Sequence, residues 1–232
     1  MNSNNIRAIF FDADDTIVDH KECERQALLF LFNKIGKEYK EQYQSIFRPL
    51  DRQLWDSAEH GLNTISKKDI PEYRFKEFFK RIDLNYNDYR KANELFKEGL
   101  AKSTALTENA YEIMQYLYFN NYKLYVVTNG IVELQKPRIR NSKISKFISD
   151  IIVSEEVSSC KPNPKIFRVL LDKINMKSSE VIMIGDSLEK DIQGAKNADI
   201  KAIWYNPNNK INKTKIEPHY QITNLIQLKE IL

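Results

Sequence analysis

Three acidic side chains, Asp12, Asp14 and Asp15, crowd into four positions directly after the apolar run Ile6–Phe11, and Thr16 follows them. Carboxylates this close repel one another. At the end of a buried strand they are costly unless a cation balances them or a reaction uses them. Two chemistries suit such a cluster: holding a hard divalent cation through oxygen, and nucleophilic or acid–base work by the carboxylates themselves. A polar turn closing a strand would use the same residues. The weight therefore falls on what accompanies the cluster elsewhere in the chain.

Three further apolar, β-branched runs each end in reactive side chains. Leu124–Val127 runs into Thr128-Asn129-Gly130. Ile151–Val153 leads to Ser154-Glu155-Glu156 and then Lys161-Pro162-Asn163-Pro164. Val181–Ile184 ends in Gly185-Asp186-Ser187, with Asp191 one helical turn on. Each residue alone has a plainer use. Thr128, Asp186 and Ser187 are good helix caps, Asn129-Gly130 is an ordinary turn signal, and most lysines are surface residues. The conjunction carries the signal: acid pair, hydroxyl, lysine, acid pair, in that order, one set at each strand end.

The elements that must position these residues follow from the same runs. With Ala202–Tyr205 and the weaker Tyr220–Ile222, the runs are apolar throughout, as expected of strands buried on both faces of a parallel sheet. Helical patterns at Glu133–Phe147, Lys165–Ile174 and Glu189–Asn197 alternate with them. This predicts right-handed βαβ units in an α/β, doubly wound, mostly parallel sheet. Such sheets bind ligands beyond the carboxyl ends of their strands. One connection breaks the rhythm: between Phe11 and Leu124 lie helical patterns at Glu22–Tyr39, Glu41–Glu59, Ile70–Ile82 and Asp88–Lys102, before a helix at Glu108–Phe119 that leads into the second strand. The expected organisation is a core of residues 1–18 and 103–232 with an inserted four-helix bundle at 19–102. The aromatic stripe of that insertion reads as bundle core.

Bulk properties exclude several classes. The 42% hydrophobic content of the 232 residues supports a real core. No apolar run approaches the roughly 20 residues of a membrane span. The stretch Met1–Asn5 lacks a charged region followed by an apolar one, so no signal peptide and a cytoplasmic location are expected. Two cysteines, Cys23 and Cys160, make neither a disulfide framework nor a C-x-x-C metal motif. A net charge of +4 over 36 basic and 32 acidic residues gives no case for binding a nucleic acid polymer.

The four motifs resemble those of the haloacid dehalogenase superfamily of phosphohydrolases: D-x-D-x-T at Asp12–Thr16, the strand-end Thr128, Lys161 in K-P-x-P, and Gly185-Asp186 with Asp191. The insertion after the first strand looks like that superfamily's helical cap. A closer resemblance is to the bacterial pyrimidine 5′-nucleotidases. It rests on Asp15 in place of the more usual Gly, and on Leu54-Trp55, Glu59, Gly61, Ile65 and Arg74-Phe75 in the insertion. It rests also on Val153–Val157, on Asp191-Ile192-Gln193-Gly194-Ala195 and on Trp204-Tyr205-Asn206-Pro207. Ser158-Ser159-Cys160 departs from the small apolar residues usual there.

The resemblance implies a Mg²⁺-dependent phosphomonoester hydrolase acting on a small phosphate ester, a pyrimidine nucleoside monophosphate first among them, as a monomer or homodimer. It implies Asp12 as the nucleophile that becomes an aspartyl-phosphate, and Asp14 as general acid–base with a pKa raised by crowding carboxylates. Thr128, the Asn129 backbone N–H and Lys161 would hold the phosphate. Asp12, the Asp14 carbonyl and Asp186 would hold the metal, with Asp191 supporting its waters or Lys161. A phosphatase of phosphoglycolate or a sugar phosphate, or a phosphomutase, would share these core residues. A 2-haloacid dehalogenase would not need Asp14, and a non-enzymatic binding module would lack one of the residues present here. His20, Arg48 and Arg74 read as structural or ion-paired.

Overall fold

The computed structural model describes residues 5–59, 65, 66 and 68–232, without the side chains of 56 and 59. Gly61 and the Glu59 side chain, two positions behind the nucleotidase resemblance, lie outside the described residues. The chain divides into two units, one made of the residues up to His20 with Thr104–Leu232, the other of Lys21–Ser103.

The first unit is built on six parallel strands: β1 (Ala8–Phe11), β2 (Lys123–Thr128), β3 (Ile148–Val153), β4 (Val181–Gly185), β5 (Lys201–Tyr205) and β6 (Tyr220–Ile222). They lie in the order β3-β2-β1-β4-β5-β6. The central strand β1 pairs in parallel with β2 on one side and β4 on the other, Phe11 standing beside both Val126 and Ile184. All four β1 side chains are fully buried. Alternate residues face opposite sides of a sheet. Ala8 and Phe10 join Val127, Met183, Ile166, Phe167 and Leu170 in one core cluster. Ile9, Phe11 and Val126 point the other way and are equally inaccessible. Burial on both faces is what a continuous apolar run requires, and it obliges helices to cover each side.

Those helices are α5 (Ala110–Phe119), α6 (Val132–Arg140), α7 (Lys165–Ile174), α8 (Gln193–Asn197) and α9 (Leu228–Ile231). Two differ from the sequence reading. The pattern Glu133–Phe147 splits: α6 stops at Arg140, and a single 3₁₀ turn follows at Ser145–Phe147. There the backbone N–H of Asn141 and the hydroxyl of Ser142 turn back onto the Pro137 and Ile139 carbonyls. The pattern Glu189–Asn197 opens with a π turn, Leu188–Ile192, before α8 begins. Strand β3 is also three residues longer than its apolar part, because it is an edge strand that tolerates Ser149 and Asp150.

The second unit holds α2 (Gln42–Glu59), α3 (Ile70–Arg81) and α4 (Tyr89–Lys102), with α1 (His20–Lys34) entering it at Lys21. Its aromatic residues form the interior. Phe47, Phe75, Phe78 and Phe96 stack with ring centroids 5.1–6.5 Å apart. Arg74 is buried among them. Its guanidinium lies over the Phe47, Phe75 and Phe96 rings and bonds Asp51 at 2.7 Å and Asn93 at 2.9 Å, so a charged residue serves as a core strut. Arg48 lies 3.9 Å from the buried Glu24 carboxylate. Among the described residues, no helix is long and apolar enough to cross a membrane.

Candidate active site

The parallel sheet brings the ends of β1, β2 and β4 side by side, and the loop after β3 folds onto them. The result is a cavity of about 270 Å³ lined by Asp12, Asp14, Thr128, Lys161, Asp186 and Asp191, with Asp15, Asn129, Ser187 and Lys190. Asp12, Asp14, Thr128, Asn129, Lys161, Asp186 and Asp191, to which the sequence assigned roles, all line it, whereas Ser154, Glu155 and Glu156 after β3 do not.

Lys161 is its centre. The side chain is 2% exposed, and its ammonium donates to Asp12 Oδ1 at 2.5 Å, to Asp191 Oδ1 at 2.7 Å and to the Val127 carbonyl at 2.8 Å. Three acceptors match the three protons of an ammonium. Asn129 secures the lysine's backbone: its side chain accepts from Lys161 N at 2.8 Å and donates to Lys161 O at 3.1 Å. Thr16, wholly buried, donates to Asp12 Oδ2 at 3.3 Å and accepts from Asp186 N at 3.1 Å, so one hydroxyl ties the ends of β1 and β4 together. The Trp204 indole on β5 donates to the Asp186 carbonyl at 2.9 Å.

The π turn aims Asp191. It accepts from Ser187 N at 3.0 Å while holding Lys161. Gly185 makes the room, since a Cβ there would overlap the Asp191 carboxylate. The Thr128 hydroxyl, buried at the mouth of β2, donates to the Asn129 carbonyl at 3.2 Å. Asp15 adopts φ of 59°, a left-handed conformation that Asp tolerates better than most residues, which is how it fills a glycine-like position.

Oxygens of Asp12, Asp186 and Asp191 approach within 4.8 Å of one another. One ammonium cannot neutralise three carboxylates. Burial, with the Asp191 and Asp186 charges, pushes the Asp12 carboxyl well above its usual range against the pull of Lys161. Burial, Asp191 and Asp15 push Asp186 up to about 7. Burial works to lower Lys161, but Asp12 and Asp191 outweigh it and hold the ammonium protonated. A hard, all-oxygen donor set with uncompensated negative charge fits Mg²⁺.

Asp14 departs from the sequence reading. Burial would raise it, and crowding by carboxylates was the expected cause of a raised value. The Arg138 guanidinium and the His20 imidazole instead hold it well below the usual carboxylate range. Arg138 Nη2 bonds Asp14 Oδ1, His20 Nδ1 stands 3.2 Å from that oxygen, and Gln135 Nε2 donates to Asp14 Oδ2 at 2.9 Å. The crowding acts on Asp12 and Asp186, whereas Asp14 is turned toward α6. His20 is pushed up in return, the nearby Asp14 charge overcoming burial. Gln135 and Arg138 were missed in the sequence. Their burial on one stripe with Ile139 shows only in the fold, since the charged run around Arg138 reads as a solvated face.

The sequence profile of the haloacid dehalogenase-like hydrolases matches residues 9–205. The pyrimidine 5′-nucleotidase PynA of Streptococcus pneumoniae is 30% identical over 97% of this chain and 94% of its own. The pyrimidine 5′-nucleotidase YjjG of Escherichia coli is 28% identical over 97% and 96%. Among solved structures, the magnesium-bound HAD-hydrolase YfnB of Bacillus subtilis superposes with a TM-score of 0.87 at 29% identity, covering 98% of this chain and 99% of that one.

Proposed function

This chain belongs to the haloacid dehalogenase-like hydrolase family, and on that premise we propose that it hydrolyses phosphate monoesters through a phosphorylated Asp12, with pyrimidine nucleoside 5′-monophosphates as the preferred substrates. The observation that carries the reading is the buried Asp12–Lys161–Asp191 chain beside Asp186, at the mouth of the central strands. The substrate class rests on the two nucleotidase relatives.

In this reading Lys161 fixes Oδ1 of Asp12 and leaves the carboxylate facing the cavity. Asp12 attacks phosphorus, forming an O–P bond while the bond to the leaving oxygen breaks. Asp14 supplies a proton to that oxygen, which requires its grip on Arg138 to loosen as the ester arrives. Water then attacks the aspartyl-phosphate, Asp14 takes a proton from it, and orthophosphate leaves with Asp12 regenerated. Thr128 and the Asn129 N–H receive the phosphoryl oxygens, and the Lys161 ammonium, its three protons already placed, offsets the charge that builds on them. Asp12, Asp186 and the Asp14 carbonyl would hold Mg²⁺, with Asp191 supporting Lys161. When bound, the ion supplies the positive charge that lets an anionic nucleophile meet an anionic ester. The magnesium-bound Bacillus relative reveals interdomain movement, and selection of the leaving group is assigned here to the helical unit Lys21–Ser103.

The test is phosphate release from a panel of nucleoside monophosphates and sugar phosphates. Turnover should need Mg²⁺, stop with EDTA, favour UMP or dTMP, and vanish in Asp12→Asn. Turnover in that variant would place the nucleophile elsewhere, and a sugar phosphate outrunning every nucleotide would overturn the substrate class.

A further inference from the structure

We infer that Arg138 and Gln135 are positioning residues for Asp14, aiming its carboxylate at the water that hydrolyses the aspartyl-phosphate. This rests on the reading of Asp12 and Asp14 given above.

The arrangement is more elaborate than a structural ion pair requires. Arg138 is 3% exposed, yet its Nε has no hydrogen-bond partner among the described residues. A buried guanidinium with an orphan N–H is costly, and α6 keeps it there. Its Nη2 reaches Asp14 Oδ1 and also Gln135 Oε1 at 2.7 Å, so the arginine orients the glutamine. With its carbonyl end so fixed, Gln135 must turn its amide nitrogen to Asp14 Oδ2. Both carboxylate oxygens are thereby pinned from one helix, three residues apart and on one face. Gly130 completes the device. Its φ of 145° is open to glycine alone, and a Cβ there would come within 3.0 Å of the Gln135 side chain.

The chemistry divides in a way that makes the role measurable. A nitrophenolate leaves without needing a proton, so forming the aspartyl-phosphate from p-nitrophenyl phosphate makes little demand on Asp14. Breaking the intermediate always demands it: water adds to phosphorus, the bond to Asp12 breaks, and the water's proton passes to Asp14. Mispositioning Asp14 should slow the second half-reaction alone. A displacement of this kind costs on the order of tenfold to a hundredfold.

Stopped-flow turnover of p-nitrophenyl phosphate by the Mg²⁺-loaded full chain tests this. For Arg138→Met, kcat and KM should fall together by roughly tenfold to a hundredfold. Their ratio should hold, and a nitrophenolate burst approaching one per site should appear. Gln135→Leu should show the same signature more weakly, and Arg138→Lys should recover most of kcat. In an Asp14→Asn background, Arg138→Met should add nothing. A fall in kcat/KM with no burst in Gln135→Leu, or full additivity with Asp14→Asn, would assign the pair a structural role and overturn the inference. If Asp14→Asn itself shows no burst, the acid–base reading of Asp14 fails instead. Should Arg138→Met not fold, Gln135→Leu and its double variant decide alone.

Discussion

At Lys161 two demands meet in one side chain. It neutralises the buried Asp12 and Asp191, and in the proposed reaction it also offsets charge developing on a transferring phosphoryl group. Truncating one partner of a buried, hydrogen-bonded charge set costs about 3–5 kcal/mol because the remaining charges lose their compensation. Lys161→Met is therefore expected to lose about two to three orders of magnitude in kcat, the scale for removing one preorganised electrostatic stabiliser. It should also lower the melting temperature measurably. Steady-state kinetics beside a thermal melt reads both. A Met variant with wild-type kcat would show that the ammonium serves the fold alone. Asp12, Thr128 and Asp186 were legible in the sequence because each closes an apolar strand, Lys161 and Asp191 because they follow one within a few residues, and parallel topology sends all strand ends to one edge. The direction of the Asp14 shift was not legible. It depends on Arg138, more than 120 residues away in sequence and hidden in the charged run Lys136-Pro137-Arg138-Ile139-Arg140, which reads as a solvated face.

Between elements, α1 and α4 meet closely at a glycine. A Cβ on Gly99 of α4 would lie 2.8 Å from the Ala27 Cα of α1 and 3.2 Å from its carbonyl oxygen. Two effects compete in Gly99→Ala. Helix propensity favours alanine by about 1 kcal/mol. The overlap is with backbone, which cannot swing aside, and forcing a helix pair apart costs about 1–3 kcal/mol. The overlap should win, so Gly99→Ala is expected to destabilise by about 1 kcal/mol in urea titration, against the stabilisation an exposed helical glycine would show. A stabilised variant would mean that α1 and α4 part at little cost. The helices themselves were legible, since their apolar spacing reports buried faces whatever they pack on. Their ends were less so. Gly36 at φ of 67° follows shortly after α1, whose pattern in the sequence runs on to Tyr39. The π turn before α8 follows from where Asp191 must point, and no local propensity encodes that.

For the molecule as a whole, the acidic pocket couples stability to pH and to the cation together. In the unfolded chain Asp186 ionises at the ordinary carboxylate pKa near 4, whereas in the fold it does so at about 7. Between those values the folded chain binds more protons than the unfolded one, so raising the pH favours unfolding. The stability Asp186 contributes is fully present below the ordinary carboxylate range and is lost as pH climbs through about 7. Asp12, also raised, acts in the same direction. Asp14 acts in the opposite direction: held low, it contributes above the ordinary range and loses its share only on stronger acidification, so it stays constant through neutrality. Mg²⁺ binds carboxylates that have lost their protons, so its stabilisation should be small near pH 5 and grow toward about pH 8. In EDTA the melting temperature is expected to fall by several degrees over that interval. Millimolar Mg²⁺ should reduce that slope, and Asp186→Asn should reduce it in part without any cation, leaving the shares of Asp12 and His20. Scanning calorimetry across the range checks all three. A melting temperature that climbs with pH in EDTA, or a magnesium effect no larger at pH 8 than at pH 5, would mean that the three carboxylates do not share one uncompensated charge.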